Sequence, residues 1–186
     1  MSNRLVILDR DGVMNHDSVE YIKSAEEWVA IEGSAEAVGR LTRAGFTVVV
    51  ATNQSGLGRG LFGADALVGI HEKMVKLVGL HGGSIDQIIF CPHLPDDGCN
   101  CRKPSSGMLR QLAEDYDVAL GGVPVIGDSL RDIDAASEVK ARPILVLTGN
   151  GMITAAELKT AGRHVETFAN LADAAALLIA EYGSSL

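Results

Sequence analysis

The sequence predicts an α/β fold: a doubly wound, mainly parallel sheet with helices on both faces. Three observations predict it. Short, near-continuous apolar runs alternate with stretches of helical period, and a strand apolar on both faces belongs in a covered parallel sheet. Four of these runs end directly in polar residues. The 186 residues read as one domain, 1–186, and that length buries a core without staples.

Arg4–Leu8 is the first run and stops at Asp9. "SAEAVGRLTRAG" is a helix, with Ser34 as N-cap, Ala35, Val38 and Leu41 on one face and Gly45 as its end. Thr47–Thr52 is the second buried strand. Leu67, Ile70, Met74 and Leu77 stripe another helix, and "IDQIIF" leads into Cys91. Met108, Leu109, Leu112 and Tyr116 mark a third helix. "VPVIGD" is a strand ending at Asp128, followed at once by a helix over Leu130–Val139. "PILVLTG" is a further strand, and Leu171, Ala174, Leu178 and Tyr182 stripe the last helix before a frayed "GSSL". No repeat, low-complexity tract or linker interrupts the pattern.

The formal charge of -8 argues against a general nucleic-acid or anionic-membrane binder, either of which needs a basic surface. The apolar run in "MSNRLVILDRDG" is too short for a signal peptide, and no segment is long enough to span a bilayer. A reducing cytosol is the expected compartment, where clustered cysteines more often mean metal than disulfide.

In an open parallel sheet the strand ends lie along one edge, where ligands bind. Four of them lead to Asp9 with Asp11, Thr52 with Asn53, the Cys91–Lys103 loop, and Asp128 with Asp132. "DRDGVMN", "ATNQSG", the "RKP" lysine and "GDSLRDID" resemble, in order, the four motifs of the haloacid dehalogenase-like (HAD) phosphatase superfamily. Within it the chain is most similar to the D-glycero-D-manno-heptose 1,7-bisphosphate phosphatases, through "LDRDGVMN", "TNQSG" and "CPH…CNCRKP". The resemblance implies a Rossmann-like HAD fold and a sugar phosphate as the small-molecule partner. It also implies release of the C7 phosphate in lipopolysaccharide precursor synthesis.

The chemistry can also be built from the residues. A phosphate monoester repels nucleophiles, so catalysis consists of charge neutralisation and in-line placement. Asp9 is the candidate nucleophile, dividing one displacement into two through an aspartyl phosphate. Ionised carboxylates beside a phosphate require a cation, and a hard ion such as Mg²⁺ suits Asp9 and Asp128. The resemblance adds the backbone carbonyl of Asp11 as a ligand. The Asp11 side chain is then free to act as general acid and base. Gly12 lets the chain turn sharply away. Thr52 and Lys103 face the phosphoryl oxygens, Lys103 as a point charge. Backbone N–H groups near Asn53 can help, which adds Asn53, Gln54 and Ser55 to the substrate-binding set. Asp132, one turn after Asp128, orients Lys103 or a metal-bound water. Read blandly, Asp128 and Asp132 are a helix N-cap and a first-turn acid, and the two readings are compatible.

Cys91-x-His93 and Cys99-x-Cys101 hold all three cysteines. Three thiolates and one imidazole make a closed, structural Cys₃His zinc site at 91–101. It fixes Arg102 and Lys103 beside a ligand. The resemblance gives Arg102 a substrate-recognition role and places Asn15, Asp17 and Tyr21 at substrate, although Tyr21 is equally readable as packing. About twenty residues between Asp11 and the first helix leave no room for a large cap domain, so residues 16–28 and the zinc loop must shield the site.

Two strings are decoys. "GRGLFG" starts too far from its strand for a dinucleotide loop, and "HEKMV" has Val75 where a zinc protease needs its second histidine. His71 is expected on a helix surface. A histidinol-phosphate phosphatase of the same superfamily is the enzymatic alternative, and a zinc-stabilised phosphate-binding module the non-enzymatic one. The latter predicts loss of Asp9 or Asp11, and neither is lost. The chain is expected to be monomeric.

Overall fold

The computed structural model describes residues 4–183. The frayed end expected at "GSSL" falls on residues 184–186, outside the described residues. Among the described residues, six strands form one parallel sheet: β1 (Leu5–Leu8), β2 (Thr47–Asn53), β3 (Gln87–Cys91), β4 (Pro124–Gly127), β5 (Arg142–Val146) and β6 (Glu166–Phe168). Their order is β3-β2-β1-β4-β5-β6. The strand order reverses between β1 and β4, the switch point at which such sheets open a ligand crevice.

Among the described residues seven helices cover the sheet: α1 (Ser34–Arg43), α2 (Ser55–Gly58), α3 (Ala64–Leu80), α4 (Gly107–Asp115), α5 (Leu130–Glu138), α6 (Gly151–Thr160) and α7 (Leu171–Gly183). Alternation along each strand sorts the core into two layers. Val6, Leu8, Val48, Val50 and Ile126 pack under α1, α3 and α7 with Val38, Leu41, Ile70, Met74 and Leu178. Leu5, Ile7, Val49, Ala51 and Val125 face α4 and α5, against Met108, Leu109, Leu112 and Ala135. This is the two-sided burial expected from apolar runs without polar alternation. Among the described residues no helix is long and apolar enough to cross a membrane.

Some local expectations need correction. Ser34 is not the N-cap of α1: Gly33, at φ 80°, holds that place, and the Ser34 hydroxyl donates to the Val13 carbonyl at 2.8 Å. On α3 the buried stripe is closed by Val78, with Leu77 only half-buried. Tyr116 lies just past α4 as its C-cap, and its hydroxyl donates to Asp86. The helix after β4 is capped by Ser129 and not by Asp128. Sequence periodicity gave no sign of α6, whose apolar residues are spread around its circumference, nor of the short α2 and the three-residue β6.

Candidate active site

Asp9 directly follows β1 and Asp128 directly follows β4, so the two carboxylates meet where the sheet reverses. A cavity of about 340 Å³ opens there, lined among others by Asp9, Asp11, Thr52, Lys103, Asp128 and Asp132. The closest approach of the two strand ends requires glycine. A Cβ on Gly12, at φ 80°, would sit 2.1 Å from Asp128 Oδ2.

Lys103 is 4% exposed, and its Nζ lies 2.9 Å from Asp9 Oδ1 and 2.6 Å from Asp132 Oδ1 while donating to the Ala51 carbonyl at 2.7 Å. Burial opposes the lysine's charge, but the two carboxylates outweigh it and hold its pKa above the usual range. Burial pushes the Asp9 carboxyl up to about 8, with Lys103 opposing and Asp132, Asp128 and Asp11 adding repulsion. Asp128 is pushed up to about 6, again first by burial. Asp9, Asp128 and Asp132 each offer an oxygen, all within 4.8 Å of one another. Three carboxyl groups face one lysine, so with all of them ionised two negative charges are in excess on a set of hard oxygen donors. That donor set fits a divalent cation such as Mg²⁺.

The Asp11 side chain points elsewhere. Its Oδ1 accepts from Arg10 Nε and Nη2 at 3.2 and 3.0 Å and from Asn15 Nδ2 at 2.9 Å, and its Oδ2 accepts from Gln54 Nε2 at 2.7 Å. Burial would raise this carboxyl, but the Arg10 guanidinium and the donors from Asn15 and Gln54 hold it below its ordinary value. The same Gln54 amide donates to Thr52 Oγ1 at 3.0 Å, joining the second strand end to the first.

The residues expected at substrate are placed differently from one another. Asn15 is fully buried behind Asp11 and does not line the cavity, so its expected substrate contact is corrected to that hydrogen bond. Asn53 lines the cavity, where its backbone N–H was the group expected to help, and its side-chain amide grips the Lys103 backbone, accepting from N at 3.1 Å and donating to O at 3.0 Å. Asp17, Tyr21, Gln54, Ser55 and Arg102 do line it. Asp132 Oδ1 pairs with Lys103, and its other oxygen accepts from Ser129 N and Oγ at 3.1 and 2.5 Å.

Sequence reasoning missed Arg10, His71 and Asn150. Arg10 is 1% exposed and sits inside the quoted "DRDG", where its place between two aspartates was the available signal. His71 is half-buried, its Nε2 3.4 Å from Arg10 Nη1, which corrects its expected surface position. Burial and the Arg10 charge hold that imidazole down to about 4, so it stands neutral beside the guanidinium. Asn150 follows β5, outside the four quoted motifs.

The cysteine loop closes on itself. Cys91 Sγ lies 3.6 Å from Cys99 Sγ, 3.1 Å from Cys101 Sγ and 3.5 Å from His93 Nδ1. Cys101 Sγ lies 3.6 Å from Cys99 Sγ and 3.2 Å from His93 Nδ1. A disulfide holds sulfurs at about 2.05 Å, and all three thiols are free. Bonds of about 2.3 Å to sulfur and 2.0–2.1 Å to nitrogen place tetrahedral zinc ligands roughly 3.5–3.8 Å apart. The cluster fits zinc, with His93 Nδ1 as the nitrogen donor. Burial pushes the Cys91 thiol up to about 12, so its thiolate needs a cation beside it.

The HAD-hydrolase-like family model matches residues 100–174, and the polynucleotide kinase 3 phosphatase model matches residues 5–136. The chain is 56% identical over 154 residues to the D-glycero-β-D-manno-heptose-1,7-bisphosphate 7-phosphatase of Bordetella bronchiseptica, covering 83% of this chain and 86% of the relative. The chain belongs to this HAD-like heptose-bisphosphate phosphatase family. The Pseudomonas aeruginosa member is 52% identical over the same shares. A Burkholderia mallei relative, named for the α anomer, is 35% identical over 74% of this chain and 76% of its own. The crystal structure of the B. bronchiseptica D,D-heptose 1,7-bisphosphate phosphatase, complexed with magnesium and phosphate, superposes with a TM-score of 0.92 at 51% identity. The match covers 96% of this chain and 99% of that one.

Proposed function

We propose that the chain hydrolyses the C7 phosphate of D-glycero-D-manno-heptose 1,7-bisphosphate through an aspartyl phosphate at Asp9, leaving heptose 1-phosphate. The observation that carries this reading is the division of labour at the end of β1. Asp9 faces a lysine and two carboxylates, while Asp11, two residues on, is held apart by Arg10, Asn15 and Gln54.

An Asp9 oxygen attacks phosphorus as the bond to the C7 oxygen breaks, and that oxygen takes a proton from Asp11. Asp11 then removes a proton from the water that cleaves the acyl phosphate, which returns Asp9 as a carboxylate. Without substrate, the donors around Asp11 favour its base form, the form used in the second step. Arrival of an anionic phosphate beside it raises its pKa toward the acid form. Lys103 and Thr52 meet the charge on the phosphoryl oxygens. Magnesium, held by Asp9, Asp128 and the Asp11 carbonyl, neutralises that charge when bound.

Arg102 lines the cavity and donates to His93 O at 3.2 Å, so the zinc loop carries it to the part of the substrate that stays behind. Asp17, Tyr21 and Ser55 complete the sugar side. We take residues 1–186 as one domain, supported by the single continuous sheet, and the active unit as a monomer, since the strand ends of one chain bring Asp9, Asp11, Thr52, Lys103 and Asp128 to one cavity. A reducing cytosol keeps its three thiols available to zinc. The β anomer is the favoured substrate, in keeping with the higher identity to relatives named for it.

The test is a kcat/KM panel of both heptose bisphosphate anomers, histidinol phosphate and p-nitrophenyl phosphate. The β-bisphosphate is expected to lead. A lead for histidinol phosphate would transfer the assignment to that phosphatase, and no turnover of any ester would favour a phosphate-binding module.

A further inference from the structure

We propose that Asn150 is a positioning residue of this site, a neutral bridge between the Asp128 carboxylate and the Asp17 segment at the cavity mouth. The loop that carries it lies outside the four strand-end motifs. Leaving β5, it passes directly over the ends of β1 and β4. Thr148 Oγ1 donates to the Gly12 carbonyl at 2.6 Å. Gly149, at φ 57°, backs onto the acid cluster so closely that a Cβ would lie 2.2 Å from Asp128 Oδ2 and 2.6 Å from Gly12 Cα. Only glycine permits that approach.

The next residue is thereby delivered to Asp128. The Asn150 backbone N donates to Asp128 Oδ2 at 2.7 Å, and its Nδ2 lies 3.2 Å from that same oxygen and 3.2 Å from Asp17 Oδ2. An amide nitrogen carries two hydrogens, so one side chain serves both carboxylates. With Oδ2 occupied by these donors, the Asp128 carboxylate is fixed in rotation and its other oxygen is the one left for a cation. Groups that orient metal-holding side chains in this way typically govern metal affinity by roughly 10–100-fold. The bridge also adds no charge to a cluster already rich in negative charge. At its far end it steadies Asp17, whose Oδ1 accepts from Ser18 N at 2.8 Å, within the segment that shields the cavity.

Losing this amide therefore has two separable effects: weaker cation binding through Asp128, and poorer handling of a large substrate through Asp17. The first does not depend on which ester is hydrolysed, while the second rests on the phosphatase reading above.

The test uses Asn150→Ala, which keeps the backbone donor but removes both amide contacts, and Asn150→Asp, which keeps the shape but turns donor into acceptor. Both are checked for zinc content and circular dichroism, then titrated with Mg²⁺ by calorimetry. The Mg²⁺ dissociation constant should rise about tenfold in the alanine variant and further in the aspartate variant. If the alanine variant fails to fold, the isosteric aspartate variant carries the same measurement. For kcat/KM, the alanine variant should lose more on the heptose bisphosphate than on p-nitrophenyl phosphate. That extra loss should not recur when Asp17→Ala is already present. A dissociation constant within twofold of the parent in every folded variant would overturn the Asp128 role. Losses that multiply in the double variant would overturn the bridge to Asp17.

Discussion

Replacing Lys103 by methionine keeps the aliphatic stem and removes one charge, which isolates what that charge does. In the native chain Nζ lies between Asp9 and Asp132, 2.9 and 2.6 Å away, in a setting only 4% exposed. Removing one partner of a buried ion pair costs roughly 3–5 kcal/mol, because the charges left behind cannot be solvated. Here Asp9 escapes part of that cost by taking up a proton. Asp9 already stands near 8 against an ordinary 3.8, and without the lysine it rises further. The folded variant then binds protons that the unfolded chain releases, so its stability is greatest in acid and falls as pH rises above the unfolded value. At pH 8 and without Mg²⁺, the expected loss is about 3–5 kcal/mol, or a Tm lowered by about 6–20 °C for a chain of this size. At pH 5 the loss should be smaller, and millimolar Mg²⁺ should recover part of it at pH 8 by mass action. Activity should not follow stability. With the fold restored by Mg²⁺, turnover should stay down by about 10²–10³, as for removal of a preorganised donor to a developing oxyanion. Thermal denaturation at the two pH values with and without Mg²⁺, beside steady-state kinetics, reads all of this. Equal melting temperatures for variant and parent at pH 8, or turnover within about tenfold of the parent, would refute the placement of this charge.

Asp9→Asn should abolish turnover by several orders of magnitude while zinc content and fold persist; activity within about tenfold, or about 1.4 kcal/mol, removes its role as nucleophile. EDTA should stop the reaction and Mg²⁺ restore it with zinc still bound, whereas Cys99→Ser should lower zinc content, Tm and activity together. Metal analysis of protein purified without chelators decides this, and an absence of zinc would end the structural-zinc reading. Mg²⁺ binding should release about one proton at pH 7, since a carboxyl near 8 is about 90% protonated there and one near 6 about 10%. Affinity should then rise from pH 6 to 8, and calorimetry in buffers of different ionisation enthalpy counts the proton. Arg102→Ala should lower kcat/KM for the heptose bisphosphate about ten- to a hundredfold, the worth of one charge-assisted contact, and matter far less for p-nitrophenyl phosphate. Equal losses on both esters would place Arg102 outside recognition of the remote phosphate.

The sheet was legible because a parallel strand buried on both faces writes itself as an apolar run, and because each run stopped at a residue carrying chemistry. Helices with one dry face were legible for the same reason. The sequence was silent on α6, whose apolar residues point all round, and on β6, an exposed three-residue edge. At the site, residue type and spacing picked out acids, a lysine and a cysteine–histidine set that the fold brings together. They could not say which way an amide points. Asn15 was expected at substrate through the resemblance and Asn53 for its backbone N–H, yet the Asn15 side chain turns toward Asp11 and the Asn53 side chain toward the Lys103 backbone. Arg10 was hidden by the common expectation that arginine is exposed. Its guanidinium is affordable inside only because Asp11 accepts two of its N–H groups.

These supports tie the Cys₃His cluster to the candidate phosphoryl site. Cys91 is the last residue of β3, so one ligand is part of the sheet itself. Its carbonyl accepts from Gln54 N at 2.7 Å, and the Gln54 amide reaches Asp11 and Thr52. At the other end of the loop Cys101 stands two residues before Lys103, whose backbone the Asn53 side chain grips at both N and O. A loop with few apolar residues cannot hold a lysine to within a few tenths of an ångström by burial. A Cys₃His site fastened to the sheet at one end can, and Asn53 completes the fixation from β2. Loss of zinc should therefore reach the phosphoryl site through Lys103 first, raising the barrier to turnover before the fold itself gives way. In a Cys99→Ser preparation cooled well below its melting temperature, kcat should already be low while circular dichroism is still native. Full kcat in zinc-free, folded protein would show that Asn53 and the sheet suffice to place the lysine.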